Sequence, residues 1–350
     1  MINKTLEKIK ELDKENYLGS IQNLPNQISQ TWEETKSLNI PASFRDVKNI
    51  IVCGMGGSGL GPHIIKSLYS KELKIPFEII KDYTLPGYIN SDSLVICSSY
   101  FGQTEEIIAV AQEAKKREAK IIGFSSGGKL QEVLDGYPFY KFQPKYNPCK
   151  QPRAGLGYSI VGLLAILDKL EFIKIDEQDI KDVVTFLKKR NEHFNVEASV
   201  NPALRLADTL QGKIATIVGA RFLTGNAHTF ANQLNETSKT YATWFVLPEL
   251  NHHLLEGLEH PKNKSLIFVF LDSNLYDKRI DKRIKATKKV LGNLGIGSYQ
   301  FEPNGETKLI QSFECLLFSS YASFYLAIRE DVNPSLIPWV DYFKEQLSKL

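Results

Sequence analysis

Residues 51–68 read IVCGMGGSGLGPHIIKSL. Ile51 and Val52 close an apolar run, glycines then occupy five of the eight positions 54–61, and Pro62, His63, Ile64, Ile65 and Leu68 follow at helical spacing. A buried strand that breaks into a glycine turn and restarts as a helix is the opening of a strand–helix–strand unit, so the stretch predicts a parallel sheet. It also predicts an anion site, because the first amides of such a helix lack internal acceptors and the helix dipole places partial positive charge there. Glycine lets the backbone come close to the bound group.

The same alternation continues outward. FEIIKDY and SLVICSS read as strands, EEIIAVAQEAKKREA as an amphipathic helix, AKIIGFSS as a strand, and SIVGLLAILDKL as a buried helix. A charged helical segment at 176–194 interrupts the pattern, which restarts with KIATIVGA, NAHTFANQLNETSK, WFVLPE, SLIFVFLD and SYQFEP. A long helix over about 306–329 and a last one after Pro334 close the chain. The expected fold class is α/β: two doubly wound parallel-sheet halves with flanking helices. The division falls at 1–180, with a leading helix, and 181–350, with the closing helices.

Bulk properties narrow the function classes. The 350 residues carry 43 basic and 40 acidic side chains, a net charge of +3 that argues for neither a nucleic-acid nor a membrane partner. Cys53, Cys97, Cys149 and Cys315 fall into no metal-ligand spacing and read as buried thiols of a cytoplasmic protein. No apolar stretch reaches the roughly 18 residues of a membrane span, and the charged N-terminal segment does not read as a signal peptide.

GMGGSG fits the dinucleotide pattern G-x-G-x-x-G, and Asp82 stands after the second strand, but this motif is weak by itself. The third strand points elsewhere. It ends in SSYFGQTEE (98–106), which brings Ser98, Ser99 and Thr104 around a glycine before a helix opens with Glu105 and Glu106. Thr104 alone reads as a helix N-cap. Two donor-rich turns on neighbouring strand tips make a pocket for a phosphate monoester, formed by Gly56, Gly57, Ser58, Ser99 and Thr104.

With these residues in place, GMGGSG plus SSYFGQTEE resembles the sugar isomerase (SIS) domain. QPRAGLGYSIVGLL, NQLNETSK and PELNHH resemble more narrowly the bifunctional phosphoglucose/phosphomannose isomerase family, along nearly the whole chain. The resemblance implies a hexose 6-phosphate substrate, no nucleotide, and aldose–ketose isomerisation through an enediolate, which demands neither redox cofactor nor metal. It implies that Glu236 is the proton-transferring base, a part suited to a partly desolvated carboxylate. Arg153 would face the developing enediolate, and Lys344 would stand near the ring oxygen. His252, rather than its neighbour His253, would open the ring, reaching the site of the partner subunit in a homodimer.

Two positions depart from the family pattern. Phe101 stands where a second serine usually binds phosphate, a loss of about 1–3 kcal/mol of binding. Ile337, seven residues before Lys344, replaces a threonine associated with use of mannose 6-phosphate, so the epimer preference stays open. A non-catalytic sugar-phosphate-binding SIS protein is the alternative reading, favoured by Phe101 and opposed by Glu236, His252 and Arg153.

Overall fold

The computed structural model describes residues 2–262 and 265–350. Three helices open the chain, α1 (Ile2–Leu12), α2 (Tyr17–Gln22) and α3 (Leu24–Thr35). The first half continues through β1 (Asn49–Gly54), α4 (Gly57–Leu68), β2 (Phe77–Ile80), β3 (Ser93–Ser98), α5 (Glu105–Lys116), β4 (Lys120–Ser125), α6 (Lys129–Val133), β5 (Phe139–Lys141) and α7 (Leu156–Lys169). Helices α8 (Glu177–Phe194) and α9 (Pro202–Leu210) lead to β6 (Ile214–Ala220), α10 (Thr224–Thr237), β7 (Ala242–Leu247), α11 (Leu250–His253), β8 (Leu266–Leu271), α12 (Lys278–Asn293) and β9 (Gly297–Phe301). The chain ends with α13 (Lys308–Arg329) and α14 (Pro338–Leu347).

The strands form two sheets, ordered β2-β1-β3-β4-β5 and β7-β6-β8-β9, and every pairing is parallel. This is the doubly wound α/β arrangement the alternation predicts. Ile50 to Cys53 and Leu94 to Cys97 are fully buried, as β-branched and apolar runs become when helices cover both faces. One apolar cluster runs continuously from Ile9 through α7 and α13 to Ile328. A second, under α5 and α6, covers the other face of the first sheet. Helix α13 is buried over most of its length, and α8 runs straight through the expected boundary at residue 180. All four cysteines are buried and unpaired.

In each sheet the strand order reverses beside its first strand, between β1 and β3 and between β6 and β8. The carboxyl ends of strands at such a switch point open the crevice where ligands bind. In the first sheet Gly54 lies opposite Ser98 in the β1–β3 register, so both donor-rich turns leave from the same level.

Candidate functional site

Gly56 caps α4 with φ 48°, a backbone that suits glycine, and the helix begins at Gly57. Gly57 lies flat against the 3-10 turn Pro152–Ala154; a Cβ there would stand 2.9 Å from the amide nitrogen of Arg153. Absence of a side chain thus seats the glycine turn directly on the segment that carries the arginine.

The Ser58 hydroxyl accepts from the Tyr100 amide at 2.9 Å and stitches the β1 tip to the β3 tip. Ser99 Oγ and Thr104 Oγ1 lie 2.8 Å apart. Thr104 does occupy the N-cap position of α5, but its side chain makes no capping bond. Its hydroxyl belongs to the turn instead, which leaves it available beside Ser99. Tyr100 is buried, its phenol oxygen accepting from Asn147 Nδ2 at 2.7 Å. Phe101 is 50% exposed, edge-on to Tyr100 with ring centroids 5.0 Å apart. The phenyl group that replaces the expected hydroxyl therefore stands at the surface rather than folded into the core.

Arg153 is the largest fully buried side chain, 2% exposed. Its guanidinium lies 5.4 Å from the centroid of the Tyr17 ring and uses every donor. Nε donates to Thr237 Oγ1 at 3.2 Å, and Nη1 to Gln151 Oε1 at 3.0 Å. Nη2 donates to Pro334 O at 2.7 Å and Ser335 O at 2.8 Å. The fifth contact, from Nη1 to Glu236 Oε2, is the longest at 3.5 Å. Tyr17 Oη shares Thr237 Oγ1 at 2.9 Å, and burial pushes that phenol up to about 12. Glu236 is in the last turn of α10, its side chain 30% exposed, with Ala231 and Leu234 of the same helix buried. A cation from the first half and a carboxylate from the second thus meet beside the turn at Gly57.

The other two expected catalytic residues are both exposed. His252 is exposed on α11, beyond the tip of β7, while His253 pairs with Glu249 at 2.8 Å. Lys344 is exposed on α14, a helix with no buried residue. Trp339, Tyr342 and Phe343 on that helix are 54–79% exposed, Trp339 the most. Ile337 caps α14 and is half-buried.

Tyr17 and the carbonyls of residues 333–335 carried no local sequence signal and reach the site only through the fold, whereas Gln151 and Thr237 lie inside the QPRAGLGY and NETSK stretches. Lys239, three positions past Glu236 within NETSK, was within reach of a motif reading. Its Nζ donates to Thr237 O at 3.0 Å and to Asn333 O.

Two α/β halves with switch-point crevices, one lined with hydroxyls and backed by a buried cation–carboxylate pair, define a two-domain SIS protein. Residues 43–130 match the SIS domain, and residues 199–347 match the bacterial phospho-glucose isomerase C-terminal SIS domain. A hypothetical protein of Thermus thermophilus shares the fold, with a TM-score of 0.72 at 15% identity over 99% of this chain and 93% of that one. A bifunctional phosphoglucose/phosphomannose isomerase of Caldicellulosiruptor bescii is 32% identical, covering 95% of this chain and 98% of that protein. One of the same name from Aquifex aeolicus is 29% identical over 91% and 94%. The chain belongs to the bifunctional phosphoglucose/phosphomannose isomerase family.

Proposed function

We propose that this protein interconverts glucose 6-phosphate or mannose 6-phosphate with fructose 6-phosphate through an enediolate. The observation that carries the reading is the Arg153–Glu236 pair, a buried guanidinium 3.5 Å from a carboxylate that still meets solvent, seated against the Gly57 turn.

The phosphate is taken up by the amides of Gly56 and Gly57 and the hydroxyls of Ser58, Ser99 and Thr104. Glu236 removes the proton from the carbon beside the carbonyl and returns it to the neighbouring carbon. Negative charge then grows on the enediolate oxygens, and the fixed charge of Arg153 stabilises it in a water-poor setting. The long Nη1 contact is the donor a substrate oxygen takes over most easily, because the other four are closer and three of these go to groups with negligible exposure. Among the described residues, no group of three or more His, Cys, Asp or Glu is placed to hold a metal ion; the proposed step uses only side chains and backbone amides.

His252 and Lys344 serve ring opening in this scheme, His252 from a second copy of the chain. Their exposure and the unburied aromatic residues of α14 support a homodimer in which His252 crosses to the partner's site. Ile337 offers no hydroxyl at the head of α14, so glucose 6-phosphate is the proposed better substrate. The unpaired thiols support a cytoplasmic setting; among the described residues no helix is long and apolar enough to cross a membrane.

The exposed phenyl group of Phe101 in place of a donor favours one second reading, a sugar-phosphate-binding protein without turnover. A coupled assay of each hexose 6-phosphate, run without nucleotide or metal, separates the two. Turnover supports the isomerase; saturable binding with no turnover in any direction overturns it in favour of the binding protein.

A further inference from the structure

The mechanism above leaves one cation of the site unused. Lys239 follows the end of α10 with φ 53°, a left-handed backbone uncommon for a residue with a side chain. That turn brings its ammonium back under the helix end, onto Thr237 O and Asn333 O. Arg153 holds the next two carbonyls, Pro334 O and Ser335 O. Two cations, one from each half, therefore grip three consecutive carbonyls in the turn that leads from α13 into Ile337 and α14. Asn333 tightens the same turn, its Oδ1 accepting from the Ser335 and Leu336 amides at 2.8 and 3.2 Å and its Nδ2 donating to Glu15 at 2.9 Å.

A half-buried ammonium is a costly way to hold carbonyls unless its charge matters as well. The charged or titratable groups around it are Arg153 on the 3-10 turn and Glu236 on α10, with Tyr17 of α2 beneath Arg153 and Glu15 on Asn333. Burial, then Arg153, push Lys239 down to about 8, and Glu236 opposes them.

We propose that Lys239 is a positioning residue of the isomerase site, its ammonium and the Arg153 guanidinium together fixing the 333–335 turn against Glu236 and so fixing where α14 leaves the body. The proposal rests on the isomerase reading for its kinetic consequence and on the hydrogen bonds alone for its structural one. Above pH 8 the ammonium becomes an amine, a weaker donor to both carbonyls. The kcat/KM of the wild type therefore falls on the alkaline side with a midpoint near that of Lys239.

The test uses the full-length protein and the variants Lys239→Met and Lys239→Arg, each followed by amide hydrogen exchange and by the pH profile of hexose 6-phosphate turnover. In Lys239→Met, exchange at the Ser335 and Leu336 amides speeds up on the order of tenfold, the factor expected for losing a charge-assisted hydrogen bond. Exchange in β1, β3 and β6 stays as in the wild type, and kcat falls more than KM rises. Lys239→Arg keeps a fixed charge, restores slow exchange, and loses the alkaline fall near pH 8. Unchanged exchange in Lys239→Met, or an alkaline fall that persists in Lys239→Arg, overturns the proposal. If Lys239→Met does not fold, wild-type exchange at pH 7 and pH 9, corrected for intrinsic rates, decides; equal protection of the turn overturns it. Should the wild type turn over no hexose phosphate, the isomerase reading falls, while the exchange comparison still decides whether Lys239 holds the turn.

Discussion

The two halves use one scaffold and finish it differently. In each, a central strand carries a glycine at or next to its end, against which the following turn folds back: a Cβ on Gly54 would lie 2.7 Å from Ser58 O, and a Cβ on Gly219 would lie 2.7 Å from Leu223 O. After Gly54 come Met55, Gly56, Gly57 and Ser58, a small and open turn. After Gly219 come Ala220, Arg221, Phe222 and Leu223, so that at the corresponding positions two bulky apolar residues, Phe222 and Leu223, are buried. Arg221 turns aside to Asp277 at 2.9 Å. The neighbouring tips diverge in the same sense. The β3 tip offers the hydroxyls of Ser99 and Thr104, whereas the β8 tip offers Asp272 and Asp277, and its Ser273 hydroxyl donates to Gln311. Carboxylates repel a phosphate that amides and hydroxyls attract. The second half instead supplies the far end of its first crossover helix, with Glu236, Thr237 and Lys239. Under the proposed function a repeated fold serves one site rather than two, because the chemistry resides in the tips and not in the sheets.

The strongest challenge to this division of labour is Glu236→Gln. If the second half contributes the base and the first half the phosphate grip, turnover drops by about 100-fold to 10,000-fold, the range for a positioned general base, while substrate affinity is kept. Near-normal kcat in a steady-state assay refutes the assignment of Glu236.

A paired substitution sharpens the contrast between tips. Ser99→Ala removes a donor from the open turn and raises KM about tenfold to a hundredfold, equivalent to about 1–3 kcal/mol. Ser273→Ala, at the corresponding tip of the other sheet, leaves KM unchanged because its hydroxyl serves Gln311. Equal effects on KM would mean that both crevices take part in binding.

Much of this was legible from the chain alone, and the reasons differ by element. The β1, β3, β4, β6 and β8 runs were readable because strands buried on both faces must be continuously apolar. The three residues of β5 and the five of α6 are too short to show a period. The two donor-rich turns proposed to hold phosphate were readable because glycines and hydroxyls lie adjacent in sequence. Thr104 reads as a cap from its position, yet its hydroxyl faces Ser99 instead, a choice settled by the neighbouring strand tip. The burial of Arg153 was not legible: besides its near neighbour Gln151, its partners come from residues 17, 236–237 and 334–335, which the assembled fold brings together.

The joint between the halves gives a smaller effect with a defined sign. His63 of α4 and His228 of α10 meet with ring centroids 4.2 Å apart, and His63 Nε2 and His228 Nδ1 are buried with no hydrogen-bond partner. Burial lowers His63 to about 3, with His228 and two lysines adding to it, and lowers His228 to about 4. Both rings are neutral in the folded protein while the unfolded chain takes up protons below its ordinary value of about 6.5. Their contribution to stability is therefore present above pH 6.5 and is lost as pH falls toward 4, on the order of 2 kcal/mol per ring by pH 5. Urea unfolding at pH 7.5 and pH 5 checks this. In His228→Phe the acid loss shrinks; an identical loss in that variant would place the acid sensitivity elsewhere.

The smallest expected effect bears most directly on the β6 tip. Arg221 and Asp277 are about half exposed, at 51% and 49%, so solvent screens their attraction. Exposed pairs of this kind contribute little to stability. Arg221 also sits at φ 50°, a conformation that disfavours any side chain. Arg221→Gly removes the ion pair and relieves the backbone at once, so the two changes offset and the urea midpoint barely moves. The aromatic packing behind it stays, since Phe222 packs on Tyr276 with centroids 5.6 Å apart whether or not the arginine is present. Both kcat and KM should match the wild type. A tenfold rise in KM would instead mean that the charge at the second tip reaches the substrate, and the functional separation of the two crevices would have to be abandoned.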